Sequence, residues 1–358
     1  MKVVIAGGGT GGHISPAIAV AEAIWEKYPD TGIDFIATPR PVDSRMYHRF
    51  GDAVHVLNPP RIDRGISDIA LLPFRAFREF LKARKLIRKL GTSVLFATGG
   101  YPCFFSVAAA HSLGIPSIIH ESNSIPGRAN RLASRFADTV LTGFHSTASG
   151  FRNESVYTGN PVRLSLQRYE KEYAREKLDI PNGLPVVLFL GGSQGARAIN
   201  DTALKAKDNV QVILQCGSRD RDRVLEESSD KPWIQIIDFA DDPAILYSAA
   251  DIAVARSGAM TVAELAWYRI PAVYIPYPFA ADDHQRWNAQ EIADQDGALV
   301  FNQDSTDTVT LWEAISGLLE NDTAVRRMKE SLEKAMPENP AGIIADIVMK
   351  ISMKDNNG

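Results

Sequence analysis

An α/β chain made of two Rossmann-like, parallel-sheet halves is predicted by three features. Short apolar β-type runs alternate with helix-length amphipathic stretches, the alternation starts twice about half a chain apart, and each start runs into a glycine-rich turn. The first start reads Lys2-Val-Val-Ile-Ala-Gly-Gly-Gly-Thr-Gly-Gly and the second Val186-Val-Leu-Phe-Leu-Gly-Gly-Ser-Gln-Gly, each followed by a helical pattern. Strands are expected at 3–6, 33–37, 94–97, 117–120 and 139–141 in the first half. In the second they are expected at 186–190, 211–215, 234–237, 252–255 and 272–275. Gly159-Asn-Pro161 supplies the turn residues of a joint, which places an N-terminal domain at 1–162 and a C-terminal domain at 163–340. A last helical pattern follows Pro337 and Pro340, and this segment, about 341–358, is expected to pack back on the first domain.

The 358 residues are 45% hydrophobic and 23% charged, which excludes a disordered, collagen-like or disulfide-stapled protein. Cys103 and Cys216 lie far apart beside apolar runs and read as buried thiols of a reducing compartment. The first apolar run stops at Ala6, so no secretory segment is expected there, and no window offers the apolar length of a membrane span.

The glycine turns carry the first functional signal. Gly7-Gly-Gly-Thr-Gly-Gly12 ends a strand and opens a helix at 13–27, which exposes backbone N–H groups and a positive dipole end to an anion. Its spacing also satisfies a dinucleotide fingerprint. That motif wants an acid at the end of the second strand, however, whereas Asp34 stands near the start and the strand ends Thr38-Pro39-Arg40. In the second turn the Ser193 hydroxyl can donate to a phosphate. A third site follows the strand at 252–255: a helix starting near Ala259 aims the amides of Ala259, Met260 and Thr261 outward. Glu264 lies in its first turns, where a carboxylate can accept both hydrogen bonds of a ribose diol or simply complement the helix dipole. Diphosphate cradle and diol acceptor together read as a nucleoside diphosphate site.

Net charge is −4, unevenly spread. Nine basic residues between Arg61 and Lys89 face three acids, so this segment carries +6 and the rest −10. Such a chain suits an anionic surface better than nucleic acid, and no nucleic-acid partner is expected. Ile69, Phe74, Phe77, Phe80 and Leu81 interleave with Arg75, Arg78 and Lys82, which is an interfacial pattern as well as that of an ordinary half-buried helix.

Gly7-Gly-Gly-Thr-Gly-Gly-His13, Gly99-Gly-Tyr101, His120-Glu-Ser-Asn123, Gly159-Asn-Pro-Val-Arg163, Gly191-Gly-Ser-Gln-Gly-Ala196, Arg256-Ser-Gly-Ala and Asp283-His-Gln-Arg-Trp-Asn288 occur in one order over nearly the whole chain. In this the sequence resembles the MurG family, bacterial UDP-N-acetylglucosamine:lipid I glycosyltransferases. The resemblance implies a GT-B fold with two domains facing across a cleft. It also implies inverting transfer of N-acetylglucosamine to the MurNAc C4 hydroxyl of undecaprenyl-linked lipid I, giving lipid II for peptidoglycan synthesis. A different UDP-sugar lipid transferase, a UDP-sugar epimerase of the same fold, and a non-catalytic sensor are the alternatives.

By motif, the resemblance assigns UDP-GlcNAc to Ser193, Ala240, Ala259, Met260, Thr261, Val262, Ala263, Glu264, Gln285 and Asn288, completed by Thr10, Gly11, Gly12, Asn123 and Arg163. The acceptor diphosphate falls to Gly9, Thr10, Gly11, Gly100 and Tyr101. Ser122 stands where the family commonly has Gln, and Ala240 where it has a larger aliphatic residue. With an acceptor carrying a polyprenyl tail, the basic segment becomes a peripheral anchor on the cytoplasmic leaflet, and cell-wall synthesis or division proteins become expected partners.

An in-line displacement needs a base and a stabilised leaving group. His13, at a helix N-terminus that disfavours imidazolium, is the first candidate for the base. A hydrogen-bond donor to acceptor or phosphate, or a mere neighbour of the helix cap, are its other readings. Glu121 is the alternative base unless Arg128 or Arg131 holds it. Asp220-Arg-Asp222 and Asp294-Gln-Asp296 read as surface acids, so neither an essential metal nor any other cofactor is expected.

Overall fold

The computed structural model describes residues 1–58, 66–152, 154–181, 183–192, 195–237 and 242–354, the side chains of 66–70 and 354 excepted. The chain divides into two compact units, Met1–Leu164 with Glu338–Gly358, and Ser165–Pro337. The first unit ends two residues later than Val162, where the sequence expectation put it, and the second ends three residues before Pro340.

In unit 1 the elements run β1 (Lys2–Gly7), α1 (Gly11–Lys27), β2 (Gly32–Ala37), α2 (Pro41–Tyr47), β3 (Val54–Val56) and α3 (Ile66–Lys89). They continue with β4 (Val94–Gly99), α4 (Tyr101–Ser112), β5 (Ser117–Glu121), α5 (Arg128–Ala133), β6 (Thr139–Thr142) and β7 (Ser155–Tyr157). The strands form one parallel sheet in the order β3-β2-β1-β4-β5-β6-β7. Sheets covered on both faces need strands apolar throughout, and Val3, Val4, Ile5 and Ala6 of β1 are all fully buried. Burying a side chain such as Ile5 contributes about 1.5–3 kcal/mol.

Unit 2 repeats the plan with α6 (Lys171–Lys177), β8 (Val186–Leu190), α7 (Arg197–Ala203), β9 (Gln211–Gln215), α8 (Arg221–Glu227), β10 (Ile234–Ile236) and α9 (Pro243–Ala249). Then follow β11 (Ile252–Ala255), α10 (Ala259–Trp267), β12 (Ala272–Tyr274), α11 (His284–Ala293), β13 (Ala298–Val300), α12 (Thr308–Leu319) and α13 (Asp322–Ala335). Its sheet is parallel in the order β10-β9-β8-β11-β12-β13.

The chain then returns to unit 1 as α14 (Pro340–Lys354). Ile344, Ala345 and Val348 enter the core on the α1 side, and Lys27 Nζ meets Asp346 at 2.8 Å.

Strand order reverses between β1 and β4 in unit 1, and between β8 and β11 in unit 2. An open parallel sheet forms its crevice beyond the carboxyl ends of the strands at such a switch point. The glycine turns Gly7–Gly12 and Gly99–Gly100 leave β1 and β4 there, and Gly191, Gly192 and the Arg256–Gly258 turn leave β8 and β11. The β1–β4 register also shifts between Ala6 and Gly7, at the lip of the first crevice.

Candidate active site

Thr10 is extended (φ −150°, ψ 155°) and caps α1, whose helix starts two residues before the sequence expectation. Its carbonyl accepts from the amides of His13 (3.1 Å) and Ile14 (3.2 Å), so the amides of Gly11 and Gly12 have no partner within the helix. The loop ahead of them is held by side chains from α2 and the residue before it. Buried Asp43 accepts from the Gly9 amide at 2.9 and 3.1 Å and from the Thr38 amide at 2.7 Å, while Arg40 Nη1 donates to the Gly9 carbonyl at 2.7 Å. Tyr47 Oη donates to the Gly7 carbonyl at 2.7 Å.

His13 is half-buried under this loop. Its Nδ1 lies 3.3 Å from the Gly8 carbonyl and 3.1 Å from Thr10 Oγ1. A carbonyl only accepts, so Nδ1 carries the proton, and Nε2 keeps a lone pair that no described residue engages. Burial lowers the imidazole pKa below its ordinary value, against the opposing pull of Glu121, the Gly8 carbonyl and Asp43. The ring is therefore neutral and oriented at neutral pH. Gly99 (φ 121°) and Gly100 (φ 86°) close over it. A Cβ at Gly99 would stand 2.7 Å from His13 Cδ2, and one at Gly100 would stand 2.6 Å from the Gly8 carbonyl, so both positions require glycine.

These pieces enclose a cavity of about 140 Å³. Gly8, Thr10 and His13 form one wall, Gly100, Tyr101 and Pro102 at the start of α4 another. Two helix N-termini thus meet at one concavity. Thr38, Arg40 and Asn58 form the third wall, which the sequence expectations missed. Each comes from a loop whose residues only the fold brings to the switch point. Gly9 lines the cavity, but its amide is spent on Asp43, so it is not the phosphate donor expected of it.

Glu121 is buried and accepts from four donors: the amides of Asn123 (2.9 Å) and Gly127 (3.0 Å), and the side-chain amides of Asn123 (3.1 Å) and Asn130 (2.8 Å). It makes no ion pair with Arg128 or Arg131 among the described residues. A carboxylate so saturated organises its loop and has no lone pair aimed at a substrate, which corrects its assignment as an alternative base. Asn123 is thereby tied to Glu121. His120 Nε2 donates to the Gly159 carbonyl at 3.1 Å, and Asn160 Nδ2 donates to the Ser122 carbonyl at 2.9 Å, so the two motifs lock each other in place. Burial lowers the His120 pKa to about 4. Arg163 follows in unit 1, half-buried, with an Nε that has no hydrogen-bond partner among the described residues.

In unit 2, Gly258 caps α10 with extended backbone and offers no side-chain bond. The Val262 amide already bonds the Gly258 carbonyl at 2.9 Å, which leaves those of Ala259, Met260 and Thr261 without a partner within the helix. Val262 and Ala263 are buried in the core, so neither presents a group to a ligand, a correction to both assignments. Glu264 is half-buried, and its Oε2 accepts from Tyr247 Oη at 2.6 Å. Asn288 is fully buried with Nδ2 donating to the Ser257 carbonyl at 3.1 Å, while Ser257 Oγ donates to the Gln285 carbonyl at 2.8 Å. Asn288 therefore holds the β11–α10 loop from below and is not the sugar contact it was expected to be. Gln285 Oε1 accepts from the Tyr277 amide at 3.0 Å. Ser193 and Ala240 lie outside the described residues.

Asp220 is bound by Arg223 and Asn200, which lowers its pKa, and Asp294 accepts from Gln290. Among the described residues no cluster of His, Cys, Asp and Glu could hold a metal.

On α3, Leu71, Phe74, Phe77 and Leu81 are exposed at helical spacing beside exposed Arg78 and Lys82. Arg75 is half-buried. Phe80 packs on the core and leaves the outer stripe, a correction, while the side chain of Ile69 lies outside the described residues. No described helix is long and apolar enough to cross a membrane.

Both units match the two halves of one class of transferase. The glycosyltransferase family 28 N-terminal domain matches residues 3–142, and the family 28 C-terminal domain matches residues 186–339. A UDP-N-acetylglucosamine--N-acetylmuramyl-(pentapeptide) pyrophosphoryl-undecaprenol N-acetylglucosamine transferase of Caldanaerobacter subterraneus subsp. tengcongensis is 34% identical over 98% of this chain and its own full length. One of the same name from Clostridioides difficile is 30% identical over 98% of this chain and 89% of its own. The crystal structure of Acinetobacter baumannii MurG superposes with a TM-score of 0.78 at 28% identity, covering 98% of this chain and 99% of that one. A UDP-GlcNAc 2-epimerase from Neisseria meningitidis, at 15% identity and a TM-score of 0.67, shares the fold alone. The chain belongs to the MurG family of glycosyltransferases.

Proposed function

We propose that the protein transfers N-acetylglucosamine from UDP-GlcNAc to lipid I, forming lipid II. The observation that carries this reading beyond family membership is the neutral, oriented His13 in a cavity made by two helix N-termini. One group there can take a proton while its surroundings bind an anion. The acceptor's diphosphate sits at the free amides of Gly11 and Gly12 and the start of α4. His13 Nε2 then takes the proton of the sugar C4 hydroxyl as that oxygen attacks the anomeric carbon in line and the bond to UDP breaks, inverting the configuration. On unit 2 the diphosphate of UDP meets the amides of Ala259, Met260 and Thr261, and Glu264 takes the ribose. Charge on the departing UDP is stabilised by those helix-end amides, so no metal is required.

The exposed apolar stripe of α3 and its basic neighbours dock peripherally on an anionic leaflet, where each basic residue near the surface contributes about 1 kcal/mol. Cell-wall synthesis or division proteins would then be met at that surface.

The test is UDP release by purified protein given UDP-GlcNAc and a lipid I analogue, beside UDP-galactose, an acceptor-free control and added EDTA. The expected result is acceptor-dependent turnover with the N-acetylglucosamine donor alone, undiminished by EDTA. Saturable UDP-GlcNAc binding without turnover would contradict it and favour a sensor.

A further inference from the structure

The third wall of the unit 1 cavity holds a charge that the acceptor reading leaves unused. Arg40 is the only charged side chain among the described residues lining this cavity, the remainder being neutral side chains, glycine backbone and the His13 imidazole. Its Nη1 bond to the Gly9 carbonyl pins the guanidinium along the glycine loop, and a Cβ at Gly9 would stand 3.7 Å from Nη1. Its other N–H groups have no partner among the described residues, and the side chain is exposed. The nearby carboxylate that could neutralise it, Asp43, is buried and spent on the Gly9 and Thr38 amides. Beside it Thr38, 7% exposed, keeps an Oγ1 without a hydrogen-bond partner among the described residues. A planar fork with free donors, fixed in place at the meeting point of two helix N-termini, matches a phosphate geometrically as well as electrostatically.

We infer that Arg40 is a specificity-determining residue that binds the acceptor's diphosphate, with the Thr38 hydroxyl as the neighbouring donor, so that the cavity selects a diphosphate-linked acceptor. This rests on the proposed placement of that diphosphate in unit 1.

Steady-state kinetics of the full chain with a short-chain lipid I analogue test it in Arg40→Gln, Arg40→Lys and Thr10→Val, with inorganic pyrophosphate as a lipid-free competitor. Arg40→Gln should raise the acceptor KM about 10- to 100-fold, as loss of charge-assisted hydrogen bonds does. Arg40→Lys should recover part of the loss, and the UDP-GlcNAc KM and kcat should stay within about threefold on that account. Inhibition by pyrophosphate should be competitive with the acceptor and weaken in parallel, which separates recognition of the diphosphate from recognition of the lipid.

An unchanged acceptor KM in Arg40→Gln while Thr10→Val raises it would overturn the role of Arg40 and keep the acceptor in the cavity. A fall in kcat alone would overturn it too, leaving Arg40 to position the loop. No change in any variant, with pyrophosphate inhibition intact, would overturn the placement of the diphosphate as well.

Discussion

The turn after β1 and the turn after β11 both leave a strand at a switch point and open a helix, and they end differently. In unit 1 the turn after β1 is gripped from outside by Asp43, Arg40 and Tyr47, and it surrounds an imidazole whose tautomer is set by the Gly8 carbonyl. In unit 2 the amides at the start of α10 that have no partner within the helix stand beside side chains already engaged, Glu264 with the Tyr247 hydroxyl and Asn288 with the Ser257 carbonyl. On the proposed function the first site moves a proton beside an anion, whereas the second only holds one. Two strand–turn–helix units of like geometry thus acquire different surroundings from side chains delivered by other elements of the chain.

That contrast can be broken most directly at His13. Replacing it with Ala should lower kcat by about 10²- to 10⁴-fold, the usual contribution of a general base, while UDP-GlcNAc affinity measured by calorimetry stays unchanged. Equal losses in both would erase the division of labour.

Acidification should weaken the folded chain through unit 1. His120 is buried and neutral, with a pKa near 4, whereas an unfolded histidine titrates near 6.5. The unfolded state therefore binds the extra proton first. This stability is fully present above pH 6.5 and falls as pH drops from there towards 4, by at most about 3 kcal/mol. Denaturant unfolding of wild type and His120→Gln across that range should converge at the acid end.

A smaller effect is expected on α3. Exchanging exposed Phe74 and Phe77 for Ser should weaken sedimentation with anionic vesicles about tenfold or more, without changing turnover on a water-soluble acceptor. The smallest concerns unit 2, where Glu264→Gln should raise the UDP-GlcNAc KM about tenfold and leave the acceptor KM alone.

Alternation and the repeated turns make both parallel sheets legible in the sequence, together with the buried thiols. Three short strands escape: β3, β7 and β13 have three residues each and are only partly buried, which leaves little periodicity to read, although β10 is as short and is found. The site is legible where chemistry is local, as in the free amides of α1 and α10. It is misread where the role depends on a partner distant in sequence. Gly9 loses its amide to Asp43, Glu121 is filled by Asn130, and Asn288 is turned inward to Ser257. Arg40 and Thr38 read in the sequence only as the end of a strand, because their place at the cavity follows from β2 lying beside β1.

The pH dependence of kcat/KM for the acceptor, in wild type and His13→Ala, tests the account most directly. Burial lowers the His13 pKa, and the base must be unprotonated, so activity should hold steady as pH falls to 6.5 and decline only below it. That acid limb should vanish in the residual activity of His13→Ala. A limb at or above 6.5 would contradict the lowering of the pKa by burial, and one that survives the substitution would contradict the assignment of the imidazole as the base.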